Sequence, residues 1–231
     1  MKFFMTDIHG DYSGMELLLR HADIDFLKDQ LVFGGDMINR GKESAKVVRK
    51  IKELADAHPN NVHVLIGNHE EMMGDYFRSG AKLWLSHGGR ETLMDFERTF
   101  SKAEMKEYVE WIINLPLIFE DNEFVYTHAG LNPNEPLHNQ SRDILWITEY
   151  DFYSIPKDSL LNLTHNKPII HGHTPVERIY FDGARLNADM GSNTYFVEEE
   201  RGLGLLNLTE MYYWVFKQSS KKIEKRKVAQ F

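Results

Sequence analysis

The first 80 residues repeat one pattern: a short apolar run, a polar loop, then apolar residues at helical spacing. The apolar runs extend from Lys2 to Met5, from Gln30 to Phe33 and from Val62 to Ile66, and each predicts a buried strand. The residues at helical spacing are Met15, Leu18, Leu19 and Ala22 after the first loop, and Val47, Val48, Ile51, Leu54 and Ala55 after the second. Alternating strands and helices predict an α/β fold with a parallel sheet, whose ligand sites lie at the carboxyl ends of the strands.

Residues 80–115 change character. Apolar positions around Trp84, Phe96 and Trp111 keep helical spacing. This segment predicts a helical insertion that caps the site.

The second half alternates short apolar runs with turn residues. We expect hairpins from Pro116 to Thr127, from Ile179 to Asp189 and from Leu203 to Phe216, with another buried strand from Lys167 to Ile170. These elements predict a mostly antiparallel sheet facing the first one. We expect one domain over residues 1–216 and a basic, solvated tail over residues 217–231.

Composition narrows the class of protein. A chain of 231 residues with 42% hydrophobic content can bury one sizeable core. No segment approaches the roughly 20 apolar residues of a membrane span, no signal-peptide pattern follows Met1, and there is no cysteine, so we expect a cytoplasmic protein. A formal net charge of −8 disfavours non-specific binding to nucleic acid.

Five short segments place Asp, Asn or His in tight, mostly Gly-containing loops where apolar runs end. Their sequences are TDIHG, GGDMINRG, GNHE, THAGL and IIHGHTP. The side chains able to bind a metal in them are Asp7, His9, Asp36, Asn68, His128, His171 and His173. Strand ends are rigid places on which to build a site.

These residue types match the needs of phosphoester hydrolysis. Two divalent metals about 3.5 to 4 Å apart can activate a water and neutralise the phosphoryl oxygens, and they need a shared anionic ligand. Asp36 is the natural bridge, since it lies in the middle of the series. Asp7 and His9 would complete one metal site, and Asn68, His128 and His173 the other, with His171 as an alternative to His173. Mixed oxygen and imidazole ligands indicate manganese first, with iron or zinc as alternatives.

The order of these motifs from Met1 to about Asn193 resembles the calcineurin-like metallophosphoesterase superfamily, in the branch of PPP-type serine/threonine phosphatases and symmetric diadenosine tetraphosphatases. The resemblance implies a four-layer α/β/β/α sandwich and the same six metal ligands. It also implies that His69 donates a proton to the leaving group, that Arg40 binds phosphate, and that Asp189 supports a ligand histidine.

Two positions depart from that branch. Relatives usually have an aspartate that pairs with the acid histidine where this chain has Asn39, and an amide there should lower the pKa of His69. Relatives commonly have a phosphate-binding arginine at the place of Thr148; Arg142, Arg90 or Arg178 could replace it. The segment LSHGGRETL resembles a loop of the tetraphosphatase branch, which implies that His87 and Arg90 face the substrate.

The predicted function is a dinuclear-metal phosphatase in which a metal-bridging hydroxide attacks phosphorus and His69 protonates the leaving oxygen. The substrate would be a phosphoprotein or a dinucleoside polyphosphate. Because a lowered pKa depletes the acid form of His69 near neutral pH, the site favours good leaving groups and therefore phosphoanhydrides. Two alternatives stay open: a phosphodiesterase, or a metal-binding phosphate-recognition module with little turnover.

Overall fold

The structure is a computed structural model that describes residues 1–230. Within that range twelve strands form two sheets. They are β1 (Lys2–Met5), β2 (Gln30–Phe33), β3 (Val62–Val64), β4 (Ile118–Glu120), β5 (Val125–Thr127), β6 (Ile169–His171), β7 (Tyr180–Phe181), β8 (Arg185–Asn187), β9 (Gly202–Asn207), β10 (Tyr212–Lys217), β11 (Lys222–Lys227) and β12 (Ala229–Gln230).

Seven α-helices accompany these strands in the described range. They are α1 (Tyr12–Ala22), α2 (Ser44–Ala57), α3 (Asn68–Ser79), α4 (Arg90–Thr99), α5 (Lys102–Ile113), α6 (Glu149–Ser154) and α7 (Lys157–Leu163). Short helical turns cover Leu85–Gly89, Leu137–Asn139, Arg142–Trp146 and Glu198–Glu200. No helix among residues 1–230 has both the length and the apolar character needed to cross a membrane.

The first sheet has the strand order β11-β10-β9-β1-β2-β3, and the second has the order β12-β7-β8-β6-β5-β4. Alternating residues of β1 explain how the layers stack. Phe3 and Met5 belong to the core shared with the helices, whereas Phe4 belongs to the core that also holds Tyr126 and Ile170 of the second sheet. A third core packs α6 and α7 on the second sheet through Phe152 and Leu160. The predicted α/β/β/α sandwich is therefore confirmed.

The first three strands pair in parallel, as the βαβ pattern predicts. The prediction of a mostly antiparallel second sheet is wrong in two ways. The β9–β10 hairpin joins the first sheet, because β9 pairs with β1. The second sheet is mixed, since β5–β6 and β6–β8 are parallel while β4–β5 and β7–β8 are antiparallel. All three predicted hairpins are present.

The predicted tail from residue 217, expected to be solvated and partly disordered, is ordered in its described part, although most side chains of residues 222–227 are exposed. Residues 222–227 form β11, which pairs with β10 over six residue positions, and β12 pairs with β7 of the other sheet. Only Ile223 of β11 packs on the core. The strand forms because β10 offers unpaired backbone groups, and its charged side chains suit a sheet edge.

Residues 80–115 are helical, as the spacing predicts, with α4 packed on α2 and α5 on α3. Trp84 anchors the start of this segment and is completely buried. The segment contacts the predicted site directly, because Trp84 and Thr92 bond the side chain of Asn39.

Candidate metal centre

The five motif loops meet at one end of the two sheets and bury their polar side chains. Five of the predicted ligands are almost inaccessible to solvent, and His173 is half-buried. The backbone of several site residues lies in the left-handed region; they are Asp7, His9, Asp36, Asn39, Arg40 and His173, with φ between 46° and 76°. Non-glycine residues adopt this conformation at a cost, which persists where the surrounding structure enforces it and which is concentrated at functional sites.

Two glycines let the backbone approach the carboxylates. A Cβ at Gly172 would lie 2.2 Å from Asp7 Oδ2, and one at Gly67 would lie 2.2 Å from Asp36 Oδ1. Both contacts are shorter than any side chain tolerates. The glycines of the GHTP and GNHE segments are therefore required by the position of Asp7 and Asp36.

Asp36 lies at the centre of the site. Its Oδ2 is 3.5 Å from His9 Nε2, and its Oδ1 is 3.6 Å from His128 Nε2. Two groups of side chains close enough to hold a cation share it: His9, Asp36 and His69, and Asp36, His128 and His173. Such sharing is what a bridging carboxylate requires.

Asn68 joins the second group. One end of its side-chain amide, which can be either the oxygen or the nitrogen, points at these residues. The atom at this end lies 3.1 Å from His128 Nε2 and 3.1 Å and 3.2 Å from the two Asp36 oxygens. With its nitrogen there, the amide donates hydrogen bonds to these groups. With its oxygen there, it faces three acceptors, an arrangement that a cation between them would stabilise.

The rings of His9 and His128 are oriented as metal ligands. His9 Nδ1 lies 3.0 Å from the Ile38 carbonyl, and His128 Nδ1 lies 2.9 Å from the Gly34 carbonyl. A carbonyl only accepts, so each Nδ1 carries the hydrogen. Burial is the main cause that lowers the pKa of both rings, to about 4 for His9, so they are neutral and leave the Nε2 lone pair free.

Asp7 has one oxygen bonded and one free. Its Oδ2 accepts hydrogen bonds from Thr6 Oγ1 at 2.6 Å and from the His173 N–H at 3.0 Å. Its Oδ1 is buried without a hydrogen-bond partner. A buried, unpaired carboxylate oxygen beside neutral imidazoles fits a metal ligand.

The buried carboxyl groups of the site also favour a bound cation. Burial and then the charges of Glu70 and Asp7 raise the pKa of Asp36 well above its usual range. Burial also raises the pKa of Glu70 to about 7, and burial together with Asp7 raises the pKa of Asp189. These four carboxyl groups crowd into one water-poor region, where cations would neutralise them. The residues present therefore fit divalent metal ions.

Glu70 holds the Asp36 loop in place, a role that the sequence analysis missed. Its Oε2 accepts the N–H groups of Asp36 and Gly67 at 2.8 and 2.9 Å, and its Oε1 accepts those of Met37 and Ile38 at 2.9 and 3.3 Å. The available signal was its place in the GNHE motif, where an acidic residue in the first turn of a helix can reach backbone N–H groups of its own and neighbouring loops.

His69 differs from the other histidines. Trp84 Nε1 at 3.1 Å and Thr92 Oγ1 at 2.8 Å both donate to Asn39 Oδ1, and an indole nitrogen can only donate. The Asn39 Nδ2 group must therefore face His69 Nδ1, which lies 2.5 Å away and accepts its hydrogen bond. Neutral His69 then carries its own hydrogen on Nε2, 3.9 Å from Asp36 Oδ2. A protonated Nε2 cannot coordinate a metal, so His69 is a donor and not a ligand.

The pKa of His69 is lowered well below its usual range, first by burial and then by His9 and Arg40. The sequence predicts a lowered pKa because of Asn39, whereas the causes of this shift are burial and neighbouring positive groups. It did not reveal Trp84 and Thr92, which orient the amide from within the helical insertion.

The insertion also brings His87 near the site. The His87 and His69 rings lie 6.4 Å apart, and His87 Nδ1 bonds the Leu83 carbonyl. Gly88, at φ 92°, packs on the backbone of Arg40, where a Cβ would approach the Arg40 nitrogen to 3.0 Å. The insertion therefore covers the side of the site that holds His69.

The arginines predicted to bind phosphate differ in whether they are exposed and free of ion pairs near the site. Arg40 is exposed, forms no ion pair among the described residues, and lies close enough to lower the pKa of His69. Arg90 is also exposed, at the start of α4. Arg142 pairs with Glu71 instead, and Arg178 lines a separate cleft.

Thr148, where the family resemblance predicts an arginine, has a structural role. It caps α6, accepting from the Asp151 N–H at 3.1 Å and donating to Asp151 Oδ2 at 2.7 Å. His171 is likewise turned away from Asp36: its Nε2 lies 3.4 Å from the Tyr153 hydroxyl. Of the two candidate histidines, the structure brings His173 to Asp36.

Comparisons with known proteins agree with this geometry. The model of the calcineurin-like phosphoesterase family matches residues 3–202. The symmetrical bis(5'-nucleosyl)-tetraphosphatase of Vibrio parahaemolyticus is 27% identical over 205 residues, covering 81% of this chain and 71% of that protein.

Two solved structures share the fold. A protein serine/threonine phosphatase from Saccharomyces cerevisiae has a TM-score of 0.70 at 19% identity, over 100% of this chain and 80% of that one. A proposed diadenosine tetraphosphatase has a TM-score of 0.61 at 19% identity, over 98% and 93% of the two chains. The family match spans most of the sequence, and the fold gathers the matching motifs around Asp36. The chain therefore belongs to the calcineurin-like phosphoesterase family and is a phosphoester hydrolase.

Proposed function

We propose that this protein is a two-metal hydrolase of dinucleoside polyphosphates. In this proposal two cations would share Asp36 as a ligand. Asp7 and His9 would complete one site, and Asn68, His128 and His173 would complete the other. The unpaired oxygen of Asp7, the free Nε2 atoms of His9 and His128, and the shared position of Asp36 support this assignment.

When bound, two divalent ions would lower the pKa of a water and neutralise phosphoryl charge. Manganese is the proposed metal, with iron or zinc as alternatives, because the ligands combine carboxylate and amide oxygens with imidazole nitrogens. The protein supplies neutral imidazoles at the pH of the reaction, since burial lowers the pKa of His9 and of His173 to about 4.

The other residues of the site bind and orient the substrate. Arg40 would bind a phosphoryl oxygen, since its guanidinium is exposed at the site and unpaired among the described residues. His69 would direct its Nε2–H toward the leaving oxygen. His87 and Arg90 would contact the part of the substrate that extends beneath the insertion.

The substrate class rests on one observation, the hydrogen bond from Asn39 Nδ2 to His69 Nδ1. An aspartate at this place would accept a hydrogen bond from a protonated Nδ1 and so stabilise the charged imidazolium. Asn39 instead donates a hydrogen bond to the Nδ1 lone pair, which favours the neutral ring. His69 can then donate a hydrogen bond from Nε2–H to the leaving oxygen more readily than it can transfer a proton. A leaving group that departs as a stable anion, such as a nucleoside diphosphate, needs no more than that. The name of the Vibrio relative agrees.

A phosphoprotein is the second candidate, because the fold is shared with a serine/threonine phosphatase. The departure of an alkoxide from phosphoserine needs strong acid assistance, which the Asn39 contact disfavours. The two candidates therefore make opposite predictions for the same assay.

The test is a panel of four substrates with added manganese: diadenosine tetraphosphate, an aryl phosphate, an aryl phosphodiester and a phosphothreonine peptide. We expect turnover that a chelator abolishes and a kcat/KM highest for the tetraphosphate, with ADP as the only nucleotide product. Preference for the peptide would replace the substrate proposal, and preference for the diester would indicate a phosphodiesterase. Bound metal without turnover on any of the four would indicate a phosphate-recognition module.

A further inference from the structure

A second cleft opens at the edge of the sandwich, away from the residues proposed to bind metal. It lies where β10 and β11 of the first sheet approach β12 of the second, and its volume is about 620 Å³. This is within the range of roughly 300 to 1,000 Å³ that small-molecule sites occupy. The proposed function uses none of its lining residues.

The lining of this edge cleft is positively charged, although the whole chain carries a formal charge of −8. Four cationic residues line it, Arg178, Lys217, Arg226 and Lys227, against two acidic residues, Glu177 and Glu200. A local excess of cations in an acidic protein needs a reason, because like charges gathered together repel one another.

Two of the cations are held in fixed positions. Lys217 is almost completely buried, and its Nζ donates to the Glu200 carbonyl and to Glu200 Oε2, both at 2.7 Å. Arg226 lies opposite Tyr213 in the β10–β11 register and donates to Glu224 Oε2 at 2.6 and 3.1 Å. An ammonium has three donors and a guanidinium five, so both keep donors for a ligand.

Arg178 completes the set. It is exposed at the mouth of the cleft and has no ion-pair partner among residues 1–230. The guanidinium is always charged and its forked donors match phosphate oxygens.

The rest of the lining can hold a less polar group. Val176, Met190 and Val228 provide apolar surface, and the half-buried Tyr195 provides an aromatic ring whose hydroxyl donates to Glu177 Oε1 at 3.3 Å. Charged donors beside apolar and aromatic surface are what a nucleotide contacts through its phosphates and its base.

We propose that the edge cleft binds a phosphate chain, carried by a nucleoside triphosphate or by inorganic polyphosphate. Arg178 and Arg226 contact the phosphates from the two sides of the cleft, and Lys217, whose charge is paired with Glu200, offers its remaining N–H donor. The cleft also adjoins the metal centre through the backbone, because the Val176 N–H donates to the Asp189 carbonyl at 2.9 Å and Met190 follows Asp189. This site is independent of the proposed function, since it uses neither the metals nor Arg40.

The test measures binding of ATP and of tripolyphosphate to the 231-residue chain, stripped of metal by a chelator and then dialysed. Isothermal titration calorimetry gives the Kd for the wild type and three variants. The first is Arg178→Ala/Arg226→Ala. The second is Arg20→Ala/Arg98→Ala, a matched control that removes two arginines paired, like Arg226, with a nearby acid. The third is Arg40→Ala, which reports binding at the catalytic site.

We expect saturable binding that weakens with added salt. The affinity should fall about tenfold or more, seen as a higher Kd, only in the Arg178→Ala/Arg226→Ala variant. Tighter binding of ATP than of tripolyphosphate would assign a contact to the base, and equal binding would assign the site to the phosphate chain alone; either supports the proposal. Absence of binding, an equal loss in the matched control, or a loss confined to Arg40→Ala would overturn it. Circular dichroism establishes that each variant is folded.

Discussion

Asn39 donates a hydrogen bond to His69 Nδ1 across 2.5 Å, and the direction of that bond is determined by two donors on the other side of the amide. A carboxylate at this position would accept a hydrogen from His69 and stabilise its charged form. The amide does the reverse. The presence of an amide rather than a carboxylate at Asn39 thus determines which hydrogen His69 can offer.

The variant Asn39→Asp should therefore increase the fraction of His69 that is protonated near neutral pH. The new carboxylate can still accept from Trp84 and Thr92, and it would raise the pKa of His69. We expect kcat on a phosphothreonine peptide to rise about tenfold or more, within the range of general acid catalysis, while kcat on an aryl phosphate changes little. The ratio of the two kcat values is the measurement. An unchanged ratio would mean that the Asn39 contact does not limit the reaction.

Asp36 and His69 should give different results when replaced by alanine. Asp36→Ala removes the carboxylate shared by both groups of ligands, so bound metal and turnover should both be lost. His69→Ala removes only a donor to the leaving oxygen, so metal content should persist while kcat falls about 10²-fold or more. Metal content by mass spectrometry and kcat are measured on the same samples. Full activity in Asp36→Ala would refute the site assignment.

The sequence predicts most of the metal centre because its ligands follow apolar runs and lie in short, mostly Gly-containing loops. Such signals are local, and the parallel order of β1, β2 and β3 brings the first loops together at one sheet edge. Gly67 and Gly172 are part of the same signal, since the close approach of Asp36 and Asp7 requires them.

The contacts that orient His69 could not be predicted in this way. Trp84 and Thr92 lie 45 and 53 residues from Asn39, and nothing near Asn39 specifies which donors will face its amide. Pairing of β11 was missed for a related reason. Backbone groups of β10 form that ladder, and a hydrophobicity pattern does not report the backbone of a distant strand.

Glu70→Ala should weaken both folding and metal binding. Four buried N–H groups of the Asp36 and Gly67 segments would lose their acceptor, and a cavity would form. We expect the free energy of unfolding of the metal-free protein to fall by about 2 kcal/mol or more. Manganese affinity should fall with it, because the Asp36 loop loses its anchor.

The matched control is Glu71→Ala, one position along α3. Glu71 pairs with the exposed side chains of Arg142 and Arg78, so its loss should cost roughly 1 kcal/mol or less. Denaturant unfolding of both variants, with a metal titration, makes the comparison. Equal losses in the two variants would show that Glu70 has no special role in the Asp36 loop.

Asp121 should make stability depend on pH in the acid range. Burial acts to raise its pKa, but hydrogen bonds from the Glu123 N–H, Lys2 and the Phe124 N–H outweigh burial and lower the pKa to about 2. Since the folded pKa lies below the ordinary 3.8, the carboxylate contributes its full stabilisation above about pH 3.8 and loses it as the pH falls toward 2. It also joins the two sheets, because Gln30 of β2 and Tyr126 of β5 both donate to its Oδ2, at 2.9 and 3.0 Å.

Asp121→Asn should destabilise the metal-free protein at neutral pH, and the difference in free energy of unfolding from wild type should shrink as the pH falls from about 3.8 toward 2. Denaturant unfolding between pH 7 and pH 2 measures it, and a difference that stays constant across the range would contradict a charged Asp121 at this junction.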